Sequence, residues 1–463
     1  MSYEPWGSTL LVTGNAGAAD AVVAGIGLDR FAVVWEDSAG TGGDASGTAI
    51  RLKVYDPFGV AFNAEPILVN TTATGNQANP QVLGLASGEF VVVWEDSSGT
   101  GGDASGTALK GQRFTANGEK LGVEFLVNTS TPGNQGKPAL ARDGTGFVVA
   151  WVDSGGANDD VRFQRFDANG VRVGTETTAG ASTAGNQSQV EAADTNGGFA
   201  LAWTDDADAN GTLEAIRVQA YTSAGAPAAA ERSIVTGDQR LVSLLDLARI
   251  DASGALGVLY ADQHAAQISP RNLLRTLDAT GAPIGGPFDA GWTMSGYFVQ
   301  GLQLSGWQGV TGEESALARG DNDGLVNRGG LFLQAVRPDG LSEGSTVYGS
   351  TSGGSPTVLD ASMLQDGRIV TVTQQGGGPL YFTVADGRGP TVSSNDFFNP
   401  VVLVGADAGP DRDNVMTGGH AGDTMYGLGG NDYLYGYAGS DLLIGGFGSD
   451  VLLGESGNDT LYG

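Results

Sequence analysis

The sequence contains no cysteine and few basic residues, and both shortages exclude whole classes of protein. Of its 463 residues, 23 are Lys or Arg, 52 are Asp or Glu and none is Cys, so the formal net charge is −29 at pH 7. Without Cys the chain forms no disulfide, no thiolate zinc site and no cysteine nucleophile. A nucleic-acid binder needs a cationic surface, which this chain lacks. No apolar run approaches the roughly 20 residues of a membrane-spanning helix.

What is abundant is glycine and acid. Glycine contributes 77 residues, while hydrophobic residues make up 40%, which is too many for a disordered acidic tail. Surplus carboxylates suit hard divalent cations, above all calcium, but net charge can also simply keep a Gly-rich chain in solution. The first residues, MSYEPWGSTL, show no basic segment followed by an apolar one, so they predict no Sec-type signal peptide.

An internal repeat organises most of the chain. Variants of one apolar segment occur at 31–38 (FAVVWEDS), 90–97 (FVVVWEDS), 147–154 (FVVAWVDS) and 199–206 (FALAWTDD). A segment of alternating polarity follows each copy and ends in a glycine, which indicates a β-hairpin. Counting that second segment along the chain gives seven units of about 55 residues.

Four short strands per unit, repeated radially, predict a propeller blade. We therefore predict an all-β fold with a seven-bladed β-propeller over residues 1–400. The opening STLLVTGN (8–15) resembles the third strand of a unit and would close the ring by pairing with the last blade. An open β-solenoid is the alternative. The tryptophans that end the apolar segments predict core packing, although a carbohydrate-stacking platform would use the same residue type.

The loops after the apolar segments are acidic. The fourth places Asp206, Asp208 and Asn210 at alternating positions before Gly211, with Glu214 at the ninth position of that count. Alternating oxygen ligands followed by a turn-making glycine are typical of a calcium loop. A solvated hairpin loop explains the same residues, and both interpretations stay open.

Residues 409–463 change character, and residues 401–463 form the predicted second domain. Single aspartates recur every nine residues, at Asp423, Asp432, Asp441, Asp450 and Asp459. An apolar residue stands two positions after each, and glycines lie between. Stacked turns of this kind would bring carboxylates together, so that they repel until a cation binds and binding free energy becomes folding free energy.

This nonapeptide pattern resembles the calcium-binding repeat of RTX proteins. The resemblance implies a short parallel β-roll that binds Ca²⁺ through these five aspartates, and an extracellular or cell-surface protein exported by type I secretion. The first row departs from the pattern, with Asn414 in place of Asp and Arg412 in place of Gly. The chain stops at Gly463 inside the array, which suggests either a missing secretion tail or self-association that covers the end of the roll.

No catalytic constellation is evident. The signature H-E-x-x-H is absent, and the two histidines, His264 and His420, lie far apart. The string GLSEG (340–344) matches a nucleophile elbow only formally, because it follows a hairpin glycine. We therefore expect a structural or adhesive protein without enzymatic activity. The alternatives are a polysaccharide hydrolase or lyase acting in the propeller channel, and a lectin-like module that binds a cell-surface glycan.

Overall fold

A computed structural model shows that the regular elements of the described residues are all β-strands. The structure describes residues 4–5, 10–13, 17–26, 30–40, 43–44, 46–56, 59–181, 185–206, 215–235, 240–251, 253–264, 271–292, 300–304, 315–322, 329–337, 340–341, 346–351, 357–364, 368–374, 379–386, 402–404, 415–417, 423–427, 431–436, 440–446, 448–454 and 457–463. In these ranges no helix is long and apolar enough to cross a membrane.

Two short strands open the chain, and six antiparallel blades follow. The opening strands are β1 (Glu4–Pro5) and β2 (Leu10–Thr13). Blade 1 contains β3 (Ala18–Ile26), β4 (Arg30–Asp37), β5 (Ala49–Tyr55) and β6 (Ile67–Leu68). Blade 2 contains β7 (Gln77–Gly84), β8 (Phe90–Asp96), β9 (Ala108–Phe114) and β10 (Lys120–Leu126). Blade 3 contains β11 (Gln135–Asp143), β12 (Gly146–Asp153), β13 (Asp160–Phe166) and β14 (Arg172–Thr178).

The next three blades follow the same order. Blade 4 contains β15 (Gln187–Thr195), β16 (Gly198–Asp205), β17 (Ala215–Thr222) and β18 (Arg232–Val235). Blade 5 contains β19 (Arg240–Arg249), β20 (Leu256–His264), β21 (Arg271–Leu277) and β22 (Phe288–Trp292). Blade 6 contains β23 (Gln300–Leu304), β24 (Ser315–Asn322), β25 (Gly329–Arg337), β26 (Gly340–Leu341) and β27 (Thr346–Thr351).

The ring is completed by a composite blade made from both ends of this region. It contains β28 (Thr357–Met363), β29 (Arg368–Gln374) and β30 (Leu380–Asp386). Strands β1 and β2 both pair with β30, and the register sets Leu10 opposite Phe382. The first strand of each blade contacts the first strand of the next, and β28 contacts β3. The predicted closure by residues 8–15 is therefore confirmed for β2, and the closed ring leaves no open solenoid end.

The prediction of seven equivalent blades needs a correction. In the described part of the chain, six blades are each built from one continuous stretch, and the remaining sheet is the composite one. The sequence count of seven includes the last repeat, which carries the same hairpin signature as the others but takes its outer strands from the amino terminus. Pairing across the ends removes two exposed sheet edges, which otherwise invite intermolecular pairing.

The blades pack face to face through unbroken apolar strands. Strands β12 and β16 are buried along their whole length. Trp94 lies fully buried in a cluster with Val34 and Leu52 of blade 1, so the tryptophans fill the space between blades. The predicted core role of Trp35, Trp94, Trp151 and Trp203 is confirmed by their burial.

The carboxyl-terminal rows form two parallel sheets. One contains β31 (Val402–Val404), β33 (Thr424–Tyr426), β35 (Leu442–Ile444) and β37 (Thr460–Tyr462). The other contains β32 (Val415–Thr417), β34 (Tyr433–Tyr435) and β36 (Val451–Leu453). Successive rows alternate between the sheets, so rows two apart in sequence become neighbours. Met425, Leu434 and Leu443 are buried together between the sheets, as the inward-pointing middle position of each row predicts.

Candidate calcium site and central channel

The roll brings its aspartates together in two columns, one per sheet. The N–H of Asp423 donates to Oδ1 of Asp441 at 2.7 Å, and the N–H of Asp441 donates to Oδ1 of Asp459 at 3.0 Å. In the other column the N–H of Asp432 donates to Oδ1 of Asp450 at 3.0 Å. Each bond joins residues eighteen apart, so every second row is held in register by a carboxylate. One oxygen of these later aspartates therefore supports the fold, and the other faces its own row.

A glycine lines the space around that second oxygen. A Cβ added to Gly436 would overlap Oδ2 of Asp441, and one added to Gly445 would overlap Oδ2 of Asp450. The same relation holds between Gly427 and Asp432 and between Gly454 and Asp459. The first glycine of these four rows is thus required by close approach of a carboxylate. The sequence pattern alone did not reveal this role.

Three of the carboxylates are buried, in a stretch of sequence that contains no Lys or Arg. Asp423, Asp432 and Asp441 are only 1%, 0% and 2% exposed, and no Lys or Arg occurs after Arg412. The buried Oδ2 of Asp441 accepts no hydrogen bond from any described residue. Burial raises the pKa of Asp441, and the neighbouring charges of Asp423 and Asp459 raise it further, against the hydrogen bond from Asp423. A buried, acid-only oxygen set of this kind fits a hard divalent cation.

The aspartates alone do not form a complete metal cage. Within the ranges described above, no three Asp, Glu or His side chains meet as a metal cluster. Backbone carbonyls of the glycine-rich turns are the other oxygens that such a site requires, and most turn residues lie outside the described residues.

The predicted calcium loop of blade 4 is only partly described. Asp206 is buried, and its N–H donates to the carbonyl of Asn186 at 3.0 Å. Asp208, Asn210 and Glu214 lie outside the described residues, as does His420. The loop site therefore stays a prediction.

The acidic loops are neutralised by bases of the same blade. Lys110 lies 3.3 Å from Asp96, and Arg162 lies 2.6 Å from Asp153. Both aspartates are buried, and both bases sit opposite a core tryptophan in the strand register. Asp37 and Asp205 have the equivalent partners Arg51 and Arg217. One acid at the start of each of these four acidic loops is therefore part of a buried ion pair.

The inner strands place three acids around the central channel. Glu191, Asp246 and Asp360 occupy the same register position in β15, β19 and β28. Each pairs with the residue of the neighbouring strand that immediately precedes the tryptophan position or its equivalent. Burial, followed by the charges of Asp246 and Asp360, raises the pKa of Glu191 well above its usual value. The N–H of Val23 donates to Oδ2 of Asp360 at 2.7 Å.

Asp360 titrates in the neutral range. Burial raises its pKa to about 7, and the charge of Asp246 adds to that, although the hydrogen bond from Val23 lowers it. Sequence analysis missed these three residues, because a lone acid in an inner strand is conspicuous only after the repeats are aligned by strand register.

Comparison with known families identifies the carboxyl-terminal array. The family described as RTX calcium-binding nonapeptide repeat (4 copies) matches residues 417–452 and 435–463. The array is an RTX repeat. The family's calcium-binding property agrees with the acid-only columns of this RTX roll, and RTX repeat proteins are typically secreted. No curated protein sequence matches the chain.

Solved structures resemble the chain at low identity. A polysaccharide lyase, Uly1, aligns with 83% of this chain and 100% of its own, at TM-score 0.49 and 11% identity. A protein of unknown function from Dyadobacter fermentans aligns with 83% and 99%, at TM-score 0.48 and 10% identity. An exo-beta-1,3-galactanase from Phanerochaete chrysosporium aligns with 84% and 96%, at TM-score 0.37 and 13% identity. At such identities and TM-scores these resemblances carry no conclusion about this chain.

Proposed function

We propose that this protein is a secreted, calcium-binding structural or adhesive protein of the cell surface or extracellular matrix. The propeller, residues 1–400, would offer a recognition or assembly face. The RTX roll, residues 401–463, would fold on binding calcium and provide attachment, including contacts between copies of the chain. Export by type I secretion belongs to the same proposal.

The observation that carries this proposal is the column of Asp423, Asp441 and Asp459. Three carboxylates follow one another through direct hydrogen bonds to backbone N–H groups, two of them buried to within 2% of full burial. Removing such groups from water is costly unless an opposite charge compensates. Calcium supplies that charge, so the closed column is favoured outside the cell, where calcium is abundant. Asp432 and Asp450 form the second column of the same proposed site.

The test is a calcium titration of the full chain after chelation. Circular dichroism should show β-structure gained on adding calcium, and size-exclusion chromatography should show compaction or assembly. Asp441→Asn should weaken the response strongly, since it removes the central charge of the column. Asp167→Asn, in an exposed hairpin turn of blade 3, is the matched control and should respond as the parent does. Identical spectra and elution with and without calcium would contradict the proposal.

A second candidate function is cleavage of a polysaccharide in the channel. Asp360 has a pKa of about 7, and the pKa of Glu191 is also raised. A carboxyl group protonated near neutral pH can serve as a general acid while an ionised one serves as base or nucleophile. A glycan screen tests this: turnover lost in Asp360→Asn and in Glu191→Gln supports an enzyme. Binding without turnover supports a lectin-like module. If neither turnover nor binding is observed, only the structural proposal remains.

A further inference from the structure

Glutamates on the outer strands of blades 2, 3 and 4 reach across to the preceding blade. Glu124 accepts hydrogen bonds from the N–H and hydroxyl of Thr71 at 2.7 and 2.8 Å, and from the hydroxyl of Thr72 at 2.9 Å. Glu176 accepts the N–H and hydroxyl of Thr129 at 2.6 and 2.7 Å. We call each such glutamate, with the turn that it binds, a strap.

The third strap is simpler and joins blade 4 to blade 3. Glu231 accepts the N–H of Ala181 at 2.7 Å. Three consecutive seams, from blade 1 to blade 4, are therefore closed by a carboxylate that binds backbone N–H groups of the neighbouring blade. Hydrogen bonds to ionised acceptors are about twice as strong as neutral ones.

Each strap glutamate also forms an ion pair with a basic residue of its own blade. Lys110 lies 3.1 Å from Glu124 and 3.3 Å from Asp96. Arg162 lies 3.1 Å from Glu176, and it also holds the buried carboxylate of its own blade. Blade 4 repeats this arrangement with Arg217 at 3.1 Å from Glu231. The base thus contacts both the core-strand acid and the strap acid, so protein groups alone hold the two carboxylates together.

The strap has a sequence signature that only some blades carry. The glutamate follows the base by fourteen residues in blades 2, 3 and 4, and Arg51 with Glu65 repeats that spacing in blade 1. The strand register places Leu273, Phe332 and Tyr381 at the position of the base in blade 5, blade 6 and the composite blade. None of these three residues can form an ion pair with a strap acid.

We infer that blades 1 to 4, residues 18–235, form an arc whose seams are fastened by straps and need no calcium, and that the ring opens on the side of blades 5, 6 and the composite blade. This goes beyond the proposed function, which concerns calcium in the RTX roll. It separates seams that are held by carboxylate hydrogen bonds and basic residues from an RTX roll whose sequence contains no Lys or Arg after Arg412.

Hydrogen exchange with mass spectrometry on the full chain tests the inference. In calcium, amides of β8, β12 and β16 should exchange more slowly than those of β20 and β29. After chelation, the order within the propeller should persist, while peptides from 423–463 lose protection. Uniform exchange around the ring, or loss of protection in β8, β12 and β16 on chelation, would overturn the arc. An unchanged roll would count against the proposed function only.

Glu176→Gln tests the strap directly. Loss of charge-assisted bonds should speed exchange in β12, β13 and residues 127–131 by about tenfold or more. Glu119→Gln, at an exposed hairpin of blade 2, is the control and should change nothing there. If Glu176→Gln fails to fold, Glu231→Gln removes a strap with fewer bonds and should act on β13 and β16. Exchange unchanged in the folded strap variant would refute the inference.

Discussion

The first glycine of each RTX row is predicted to be as important as the aspartate that follows. In Gly436→Ala the new methyl group would overlap Oδ2 of Asp441. The side chain of Asp441 must then turn away, yet its Oδ1 accepts the N–H of Asp423 at 2.7 Å in a buried position. Losing a hydrogen bond to a charged acceptor costs about 1.5–3 kcal/mol.

That cost converts to a calcium affinity that is about 10- to 100-fold weaker for the row, because each 1.4 kcal/mol corresponds to a factor of ten. Isothermal titration calorimetry of the chelated full chain with CaCl₂ measures this, and circular dichroism at each calcium concentration reports the folding that accompanies it. The number of calcium ions bound should still be measurable. A weakened site in one row then appears as a change in calcium affinity rather than as a general failure to fold.

Gly463→Ala is the matched control, since a Cβ at Gly463 has no heavy atom within 4 Å. It should bind calcium as the parent does, although alanine has the same lower backbone freedom as in the test variant. Parental calcium affinity in Gly436→Ala would refute the close-approach argument. Equal weakening in both variants would assign the effect to backbone entropy.

Three further predictions concern stability. Trp151→Ala should lower the free energy of unfolding by about 3–5 kcal/mol in a denaturant titration, because a fully buried aromatic leaves a cavity between blades; a loss below 1 kcal/mol would contradict the core assignment. Leu443→Ala should destabilise the calcium-loaded roll far more than Leu461→Ala, since Leu443 is buried and Leu461 is 45% exposed; equal calcium-loaded melting temperatures would contradict this. Burial would raise the pKa of Glu124, but hydrogen bonds from Thr71 and Thr72 and the charge of Lys110 outweigh it and lower the pKa to about 2. A depressed pKa stabilises the fold above the unfolded value of about 4.3, and that contribution is lost as the pH falls toward 2; Glu124→Gln should therefore flatten the stability loss between pH 4 and pH 2 in acid-unfolding curves.

Local pattern determined much of the architecture. The apolar segments that end in tryptophan predicted buried core strands, and Trp94 and Trp203 are fully buried. The nine-residue spacing predicted rows whose middle residue points inward, and Leu434 and Leu443 do so. These features follow from residue periodicity, which is a property of neighbouring residues alone.

What only the tertiary structure decided is which distant residues meet. The composite blade depends on β2 pairing with β30, about 370 residues away in the chain. The straps join Glu176 to Thr129 across a seam, and the closed ring places Glu191 of blade 4 where the charge of Asp360 of the composite blade contributes to raising its pKa. The sequence shows where each of these acids lies in the chain but does not show which distant residue contacts it. It also does not show which carboxylates are buried, because burial depends on the packing of distant segments. Burial, and not residue type, made some of these acids ion pairs, some hydrogen-bonded straps and some candidates for calcium.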